Sequence, residues 1–193
     1  TDSSKNYGQV NYHGSKDEIL SAFFQNLRSM LRADWGSRGY CNNVLEFADW
    51  PICGDGIRPH DIRIYSFGIA DDYDFEAAAG LHGFPVYAFD PTRNYPQKLA
   101  KNVNFFNCGL RGELSKNWSH SIYGDTVGGL LSLPEILKLT NLKDTEKLIL
   151  KLDCEGCEWE AFSLLKKHPN ILNRVLQVNI EMHFTTSLRV NNY

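Results

Sequence analysis

The sequence predicts an α/β domain built on a doubly wound, mostly parallel sheet. Three segments carry that expectation: Ile64-Tyr65-Ser66-Phe67-Gly68-Ile69, Val86-Tyr87-Ala88-Phe89-Asp90-Pro91 and Leu148-Ile149-Leu150-Lys151-Leu152-Asp153-Cys154-Glu155-Gly156. Each is an apolar run ending in a polar turn, the pattern of a parallel strand covered on both faces. Ligands of such sheets sit beyond the carboxyl ends of the strands, so the site is expected at Gly68, Asp90 and Asp153. Helical patterns alternate with the runs, which favours right-handed crossovers.

The elements follow in order. Residues 1–14 are polar and aperiodic and read as an N-terminal arm. Ser15-Lys16-Asp17-Glu18 is a capping box, and Ile19, Leu20, Phe23, Phe24, Leu27, Met30 and Leu31 share one helical face, expected to pack on the sheet. Residues 35–59 are rich in Gly, Asn, Pro and Asp and read as an irregular connection. The chain thus divides into an arm at 1–14, a helix and irregular segment at 15–62, and the main domain at 63–193. In that domain we expect strands at 63–68, 86–89, 103–107, 147–152 and 175–184. Helices are expected at 75–81, at 95–100, from the capping box Ser132-Leu133-Pro134-Glu135 to Thr140, and at 158–167.

Composition bounds the function. A chain of 193 residues, 42% hydrophobic and 22% charged, has the balance of one ordinary globular domain. Its net charge of -3 and scattered basic residues argue against a nucleic-acid partner. No apolar stretch approaches the roughly 20 residues needed to cross a bilayer. The sequence opens on Thr1 without a signal-peptide pattern, which leaves room for an upstream targeting segment. Asn117-Trp118-Ser119 is a glycosylation-type tripeptide, and Cys41 and Cys53 could pair if the protein is secreted. Together these tilt the expected location toward the secretory pathway.

Five segments, in order, resemble the FkbM-type family of S-adenosylmethionine-dependent methyltransferases, including its animal methyltransferase-like relatives. They are the strand entering Gly68, the Val86-to-Pro91 strand end, Asn107-Cys108-Gly109-Leu110, Leu150-Lys151-Leu152-Asp153-Cys154-Glu155-Gly156-Cys157-Glu158, and Ile180-Glu181-Met182-His183. The resemblance implies a class I, Rossmann-like methyltransferase fold, S-adenosylmethionine as cofactor and S-adenosylhomocysteine as product. It also implies an adenine-side wall at Asn107, Gly109 and Leu110, and two strands after the fifth, for which ten residues beyond His183 leave little room. The family's first loop is richer in glycine than Gly68-Ile69-Ala70-Asp71-Asp72-Tyr73-Asp74.

The residues add their own chemistry. Asp90 lies 22 positions after Gly68, near the spacing at which an acid holds the ribose hydroxyls of a nucleoside cofactor. Its competing role is to form the turn with Pro91. Asp71, Asp72, Asp74 and Glu76 surround a helix start, where they would repel a pyrophosphate. Two like charges about 6 Å apart at an effective dielectric near 20 repel by on the order of 3 kcal/mol, which disfavours a nicotinamide cofactor. A sulfonium and an ammonium suit the same loop, with Gly68, Ile69 and Asp71 nearest the cofactor. Asp72 and Asp74 read equally as helix-capping acids.

Asp153 and Glu155 could hold the cofactor's ammonium, orient an acceptor hydroxyl or bind a divalent cation, but the spacing names no metal and none is expected. Glu155 and Glu158 have the alternative of acids favoured at a helix N-terminus. Gln177, Asn179, Glu181 and His183 alternate with apolar residues and share one side of the fifth strand. Gln177 and Asn179 read as structural, Glu181 and His183 as site residues. His183, Asp153 and Glu155 are the candidate catalytic groups, with His183 suited by its ordinary pKa to neutral-pH base work. Cys154-Glu155-Gly156-Cys157 lacks the second ligand pair of a zinc site and the context of a redox motif. The expected reaction is methyl transfer to an oxygen of a small molecule or glycan. The alternative is a degenerate domain of the same fold that binds cofactor or partner without turnover.

Overall fold

The structure is a computed structural model and describes residues 41–111 and 128–183. The N-terminal arm, the helix after Ser15, Asn117-Trp118-Ser119 and the region beyond His183 lie outside the described residues. The chain divides into two compact units, Thr1–Cys41 and Asn42–Tyr193, and every strand and helix named below belongs to the second.

The unit opens with a hairpin, β1 (Val44–Phe47) paired antiparallel to β2 (Trp50–Cys53). This corrects the irregular chain expected there from composition. Phe47 and Ile52, both buried, are what make the stretch regular, because their inward side chains belong to the core beneath it. Next come β3 (Ile62–Phe67), α1 (Asp74–Leu81), β4 (Val86–Phe89), β5 (Lys98–Ala100), β6 (Val103–Phe106), β7 (Cys108–Leu110), β8 (Gly129–Leu131), α2 (Leu133–Leu139), β9 (Lys147–Leu152), α3 (Cys157–Lys167), α4 (Pro169–Leu172) and β10 (Val175–Ile180).

Six strands form one sheet in the order β10-β9-β3-β4-β6-β5, parallel throughout except for β5. It is an α/β fold with a mostly parallel central sheet. β5 corrects the expected helix at 95–100: the chain turns back on β6 through Lys101 and Asn102, and Asn102 takes φ +58 as tight hairpins require. β7 and β8 form a separate parallel pair. α2 starts where the capping box placed it, with Ser132 and Glu135 satisfying each other's backbone donors.

Alternation along the strands gives the sheet two cores. On one face Tyr65, Phe67, Phe89, Leu148, Leu150 and Leu152 pack against Leu133 and Ile136 of α2 and Ala161 and Leu164 of α3. The Phe67 and Phe89 rings stack with centroids 4.9 Å apart. On the other, Ile64, Val86, Ala88 and Ile149 pack against Phe75 and Ala79 of α1 and against the hairpin. Each fully buried aromatic or branched side chain contributes roughly 1.5–3 kcal/mol.

The polar side of β10 is explained by the hairpin. Gln177 accepts the Cys53 N–H at 2.9 Å and donates to the Cys53 carbonyl at 2.6 Å, while Asn179 donates to the Pro51 carbonyl at 2.5 Å. These amides serve backbone groups of β2 that would otherwise be left to solvent. The strand ends at Ile180, short of the expected 184. Among the described residues no helix is long and apolar enough to cross a membrane.

Candidate functional site

The carboxyl ends of adjacent strands bring four residues into a row. The Gly68 N–H donates to the Phe89 carbonyl, the Asp153 N–H to Phe67, the Asp90 N–H to Phe106 and the Glu181 N–H to Leu152. Parallel pairing therefore sets Asp90, Gly68, Asp153 and Glu181 side by side at one edge of the sheet. Gly68 has φ +78, and a Cβ there would lie 1.7 Å from the Asp153 carbonyl oxygen. Only glycine lets the two strand ends approach so closely.

Asp90 anchors the loops on its side. Its Oδ1 accepts the Thr92 N–H at 2.7 Å and the Thr92 hydroxyl at 2.6 Å, and its Oδ2 accepts the Ala70 N–H at 2.9 Å. It is buried and forms the turn with Pro91, while one oxygen keeps acceptor capacity. Tyr95 donates to the Ala70 carbonyl at 3.0 Å, and the Arg93 guanidinium pairs with Asp71 at 2.8 Å. Asp71 is thus outward-facing and engaged by Arg93. Asn107 donates to the Arg93 carbonyl, the Gly128 N–H donates to Pro91 at 2.9 Å, and a Cβ on Gly109 would meet Pro91 at 2.8 Å. Of the expected cofactor set, Gly68, Asp90, Pro91, Asn107, Gly109 and Asp153 come together at this end of the sheet. Ile69 and Leu110 are buried among core side chains.

On the other side of Gly68 lies a carboxylate–imidazole cluster. His183 Nδ1 is 3.0 Å from Glu158 Oε1, and its Nε2 lies 3.4 Å from Glu155, 3.6 Å from Glu181 and 3.7 Å from Asp153. Glu158 is fully buried and also accepts the Cys154 N–H at 2.9 Å and the Gly156 N–H at 2.7 Å. It is both the helix-start acid expected from its position and the group that aims His183. Burial alone would lower the His183 pKa, but the Glu158 hydrogen bond and the charges of Glu155, Glu158 and Asp153 outweigh it and raise the imidazole above its usual value. Burial raises the Asp153 carboxyl, reinforced by Glu181 and Glu155 and opposed by Lys151 and His183. Glu155 and Gly156 take φ +55 and +120, and Cys154 and Cys157 are joined as a disulfide across them. Cys41 and Cys53 are disulfide-bonded as well.

Lys151 links this cluster to the core. Its ammonium lies 3.8 Å from Asp153, 3.9 Å from Glu76 and 4.5 Å above the Trp50 ring. Glu76 is buried and accepts a hydrogen bond from Ser66; burial raises its pKa against the pull of Lys151 and Ser66. Motif and spacing give Lys151 no role and count Glu76 among the acids of the loop. A lysine inside the apolar run 147–152 is the signal they miss, since a charge there needs a buried partner.

A family model described as a methyltransferase domain matches residues 49–191. No curated protein and no solved structure matches the chain.

Proposed function

Because the chain belongs to this methyltransferase-domain family, we propose that it transfers a methyl group from S-adenosylmethionine to an oxygen of a small molecule or glycan, releasing S-adenosylhomocysteine. One observation carries the reading: Asp90, Gly68, Asp153 and Glu181 lie in a row at the carboxyl ends of β4, β3, β9 and β10, where the strand order reverses. From β3 the chain adds β4 and β6 on one side and β9 and β10 on the other, and in open α/β sheets ligands bind outside the strand ends at such a reversal. The same order supports a class I, Rossmann-like placement, and the segment from Leu150 to Glu158 supports an FkbM-type one.

The residues fit that cofactor. Asp90 is a fixed carboxylate with acceptor capacity for a ribose hydroxyl, and Asp153, Glu155 and Glu181 offer negative charge to a sulfonium and an ammonium. When bound, the cofactor supplies an electrophilic methyl group. The chain supplies position: the Gly68–Asp153 contact and the Asp90 anchor fix the edge on which acceptor and methyl donor must be aligned. His183, Asp153 and Glu155 surround the point at which an acceptor hydroxyl would give up its proton. We place the protein in the secretory pathway, where disulfides such as Cys154–Cys157 persist.

The test is calorimetric titration of the chain with S-adenosylmethionine, S-adenosylhomocysteine and NAD. One-to-one binding of both adenosyl compounds and none of NAD is expected, weakened at least tenfold by Asp90→Asn. Absence of binding by either adenosyl compound overturns the reading.

A further inference from the structure

We propose that Asp153, Glu181 and His183 form a site for one divalent cation of the Mn2+ class. One ligand atom from each lies within 4.8 Å of the other two. Asp153 and Glu181 directly follow two adjacent strands, β9 and β10, and are held side by side by the sheet, while His183, three residues past β10, is fixed by its contact with Glu158. For metal–ligand bonds of about 2.1 Å, neighbouring ligand atoms of an octahedral ion stand about 3.0 Å apart. The separations of 3.6 Å and 3.7 Å from His183 Nε2 to Glu181 and Asp153 would contract by roughly 0.6–0.7 Å, within reach of side-chain rotation.

The orientation of the imidazole favours an ion over a simple ion pair. Nδ1 faces the buried Glu158 carboxylate, which turns Nε2 toward the other carboxylates. This is the arrangement in which metal-binding histidines are held, with a second carboxylate on the far nitrogen. Asp153, Glu155 and Glu181 lie 3.7, 3.4 and 3.6 Å from Nε2. One proton on Nε2 can serve only one of these oxygens. A cation between them serves all, with Glu155 able to swing in as a further ligand. Only Lys151 provides fixed positive charge beside the cluster in the described residues, and it is shared with Glu76.

The donor set names the class. Two carboxylates and one imidazole suit Mn2+ better than the thiolate-rich sites that select soft metals, and the adjacent Cys154 and Cys157 are tied to each other. With Nε2 on the cation and Nδ1 on Glu158, His183 would hold the ion instead of taking the acceptor's proton, and the cation would polarise that hydroxyl beside the methyl donor. That role rests on the methyl-transfer reading; the binding itself does not.

The experiment is titration of Mn2+ into the whole chain without cofactor, followed by the electron paramagnetic resonance signal of free Mn2+. One saturable site per chain is expected, weakened at least tenfold by Glu181→Gln and by His183→Gln. It should be unchanged by Asp55→Asn, whose carboxylate accepts the Asn42 and Asn43 N–H groups beside Cys41 and Cys53. The Glu181 side chain is 60% exposed, so that variant should fold, and a thermal melt checks it. In the unsubstituted protein Mn2+ should also broaden the His183 ring resonances. Absence of saturable binding, binding that survives Glu181→Gln in a folded protein, or an unperturbed His183 overturns the site. The adenosyl titration is run without metal, so failure of the cation site and failure of the methyltransferase reading give separate results.

Discussion

His183 and Glu158 are 25 positions apart in sequence and meet with Nδ1 3.0 Å from Oε1, joining the end of β10 to the first turn of α3. Glu158 serves three hydrogen-bond donors from full burial, so its loss leaves buried N–H groups unmatched as well as releasing the imidazole. Glu158→Ala should destabilise the protein by about 2–4 kcal/mol, measured by denaturant unfolding. Glu158→Gln, which keeps the volume and one acceptor, should cost less than half as much. Equal costs for the two would mean that the carboxylate itself, and not the volume it fills, explains the position.

Gly68 sits where two strand ends touch. Gly68→Ala adds a Cβ 1.7 Å from the Asp153 carbonyl oxygen at a φ of +78. The Asp153 backbone must move, and the left-handed conformation costs about 1–2 kcal/mol on its own. We expect a lower melting temperature together with at least tenfold weaker binding of S-adenosylhomocysteine. A variant that melts lower but binds normally would separate the contact from the site.

Much of the sheet is legible in the sequence. The runs at 86–89 and 147–152 are strands to the residue, and β3 and α1 fall within one residue of expectation. A parallel strand buried on both faces has to be a short apolar run, so its ends are written in composition. The hairpin is not legible because it is held by distant partners, Gln177 and Asn179, and β5 is not because three residues paired to the adjacent β6 are too few to show a period. The row Asp90, Gly68, Asp153 follows from knowing which strands are parallel. The convergence of Glu158 and Glu181 on His183 does not, since it depends on how α3 starts beside β10. Sequence offers Asp90 both a turn-forming and a ribose role, and the three hydrogen bonds it accepts account for the first without removing the second.

Lys151 and Glu76 form a buried pair that invites a double-mutant cycle. Lys151→Met alone leaves the Glu76 carboxyl buried beside only Ser66 and should destabilise by about 3–5 kcal/mol. Glu76→Gln added to it should recover at least half of that, because the buried carboxyl that lost its partner is then replaced by a neutral amide. Additive losses in the unfolding free energy would show that the two side chains are not energetically coupled.

Cysteine labelling tests the disulfides. The chain has five cysteines, of which Cys41, Cys53, Cys154 and Cys157 are disulfide-bonded and Cys108 is free and buried. Burial pushes the Cys108 thiol up to about 11, so at pH 8 roughly one molecule in a thousand carries its thiolate. Native protein should take up iodoacetamide very slowly, denatured protein should take one equivalent, and denatured, reduced protein five. Rapid labelling of two or more thiols in native protein would show the disulfides open.

The acid side of the stability profile should carry the Arg63–Glu146 pair. The two side chains are 17% and 15% exposed and meet at 2.7 Å where β3 and β9 begin, at the end of the sheet opposite Gly68 and Asp153. Burial alone would raise the Glu146 carboxyl; hydrogen bonds from Arg63 and the Lys143 N–H, with both positive charges, outweigh it and hold the pKa below its usual 4.5. A carboxyl whose pKa is depressed on folding stabilises the native state fully above the unfolded value. That contribution is lost as pH falls through the lower folded value. Glu146→Gln should therefore lower stability by a constant amount above about pH 5, and the gap between variant and unsubstituted protein should close as pH drops below 4.5. Urea unfolding at pH 7, 5 and 3.5 measures it. A gap that widens toward low pH would place the depressed carboxyl elsewhere in the fold.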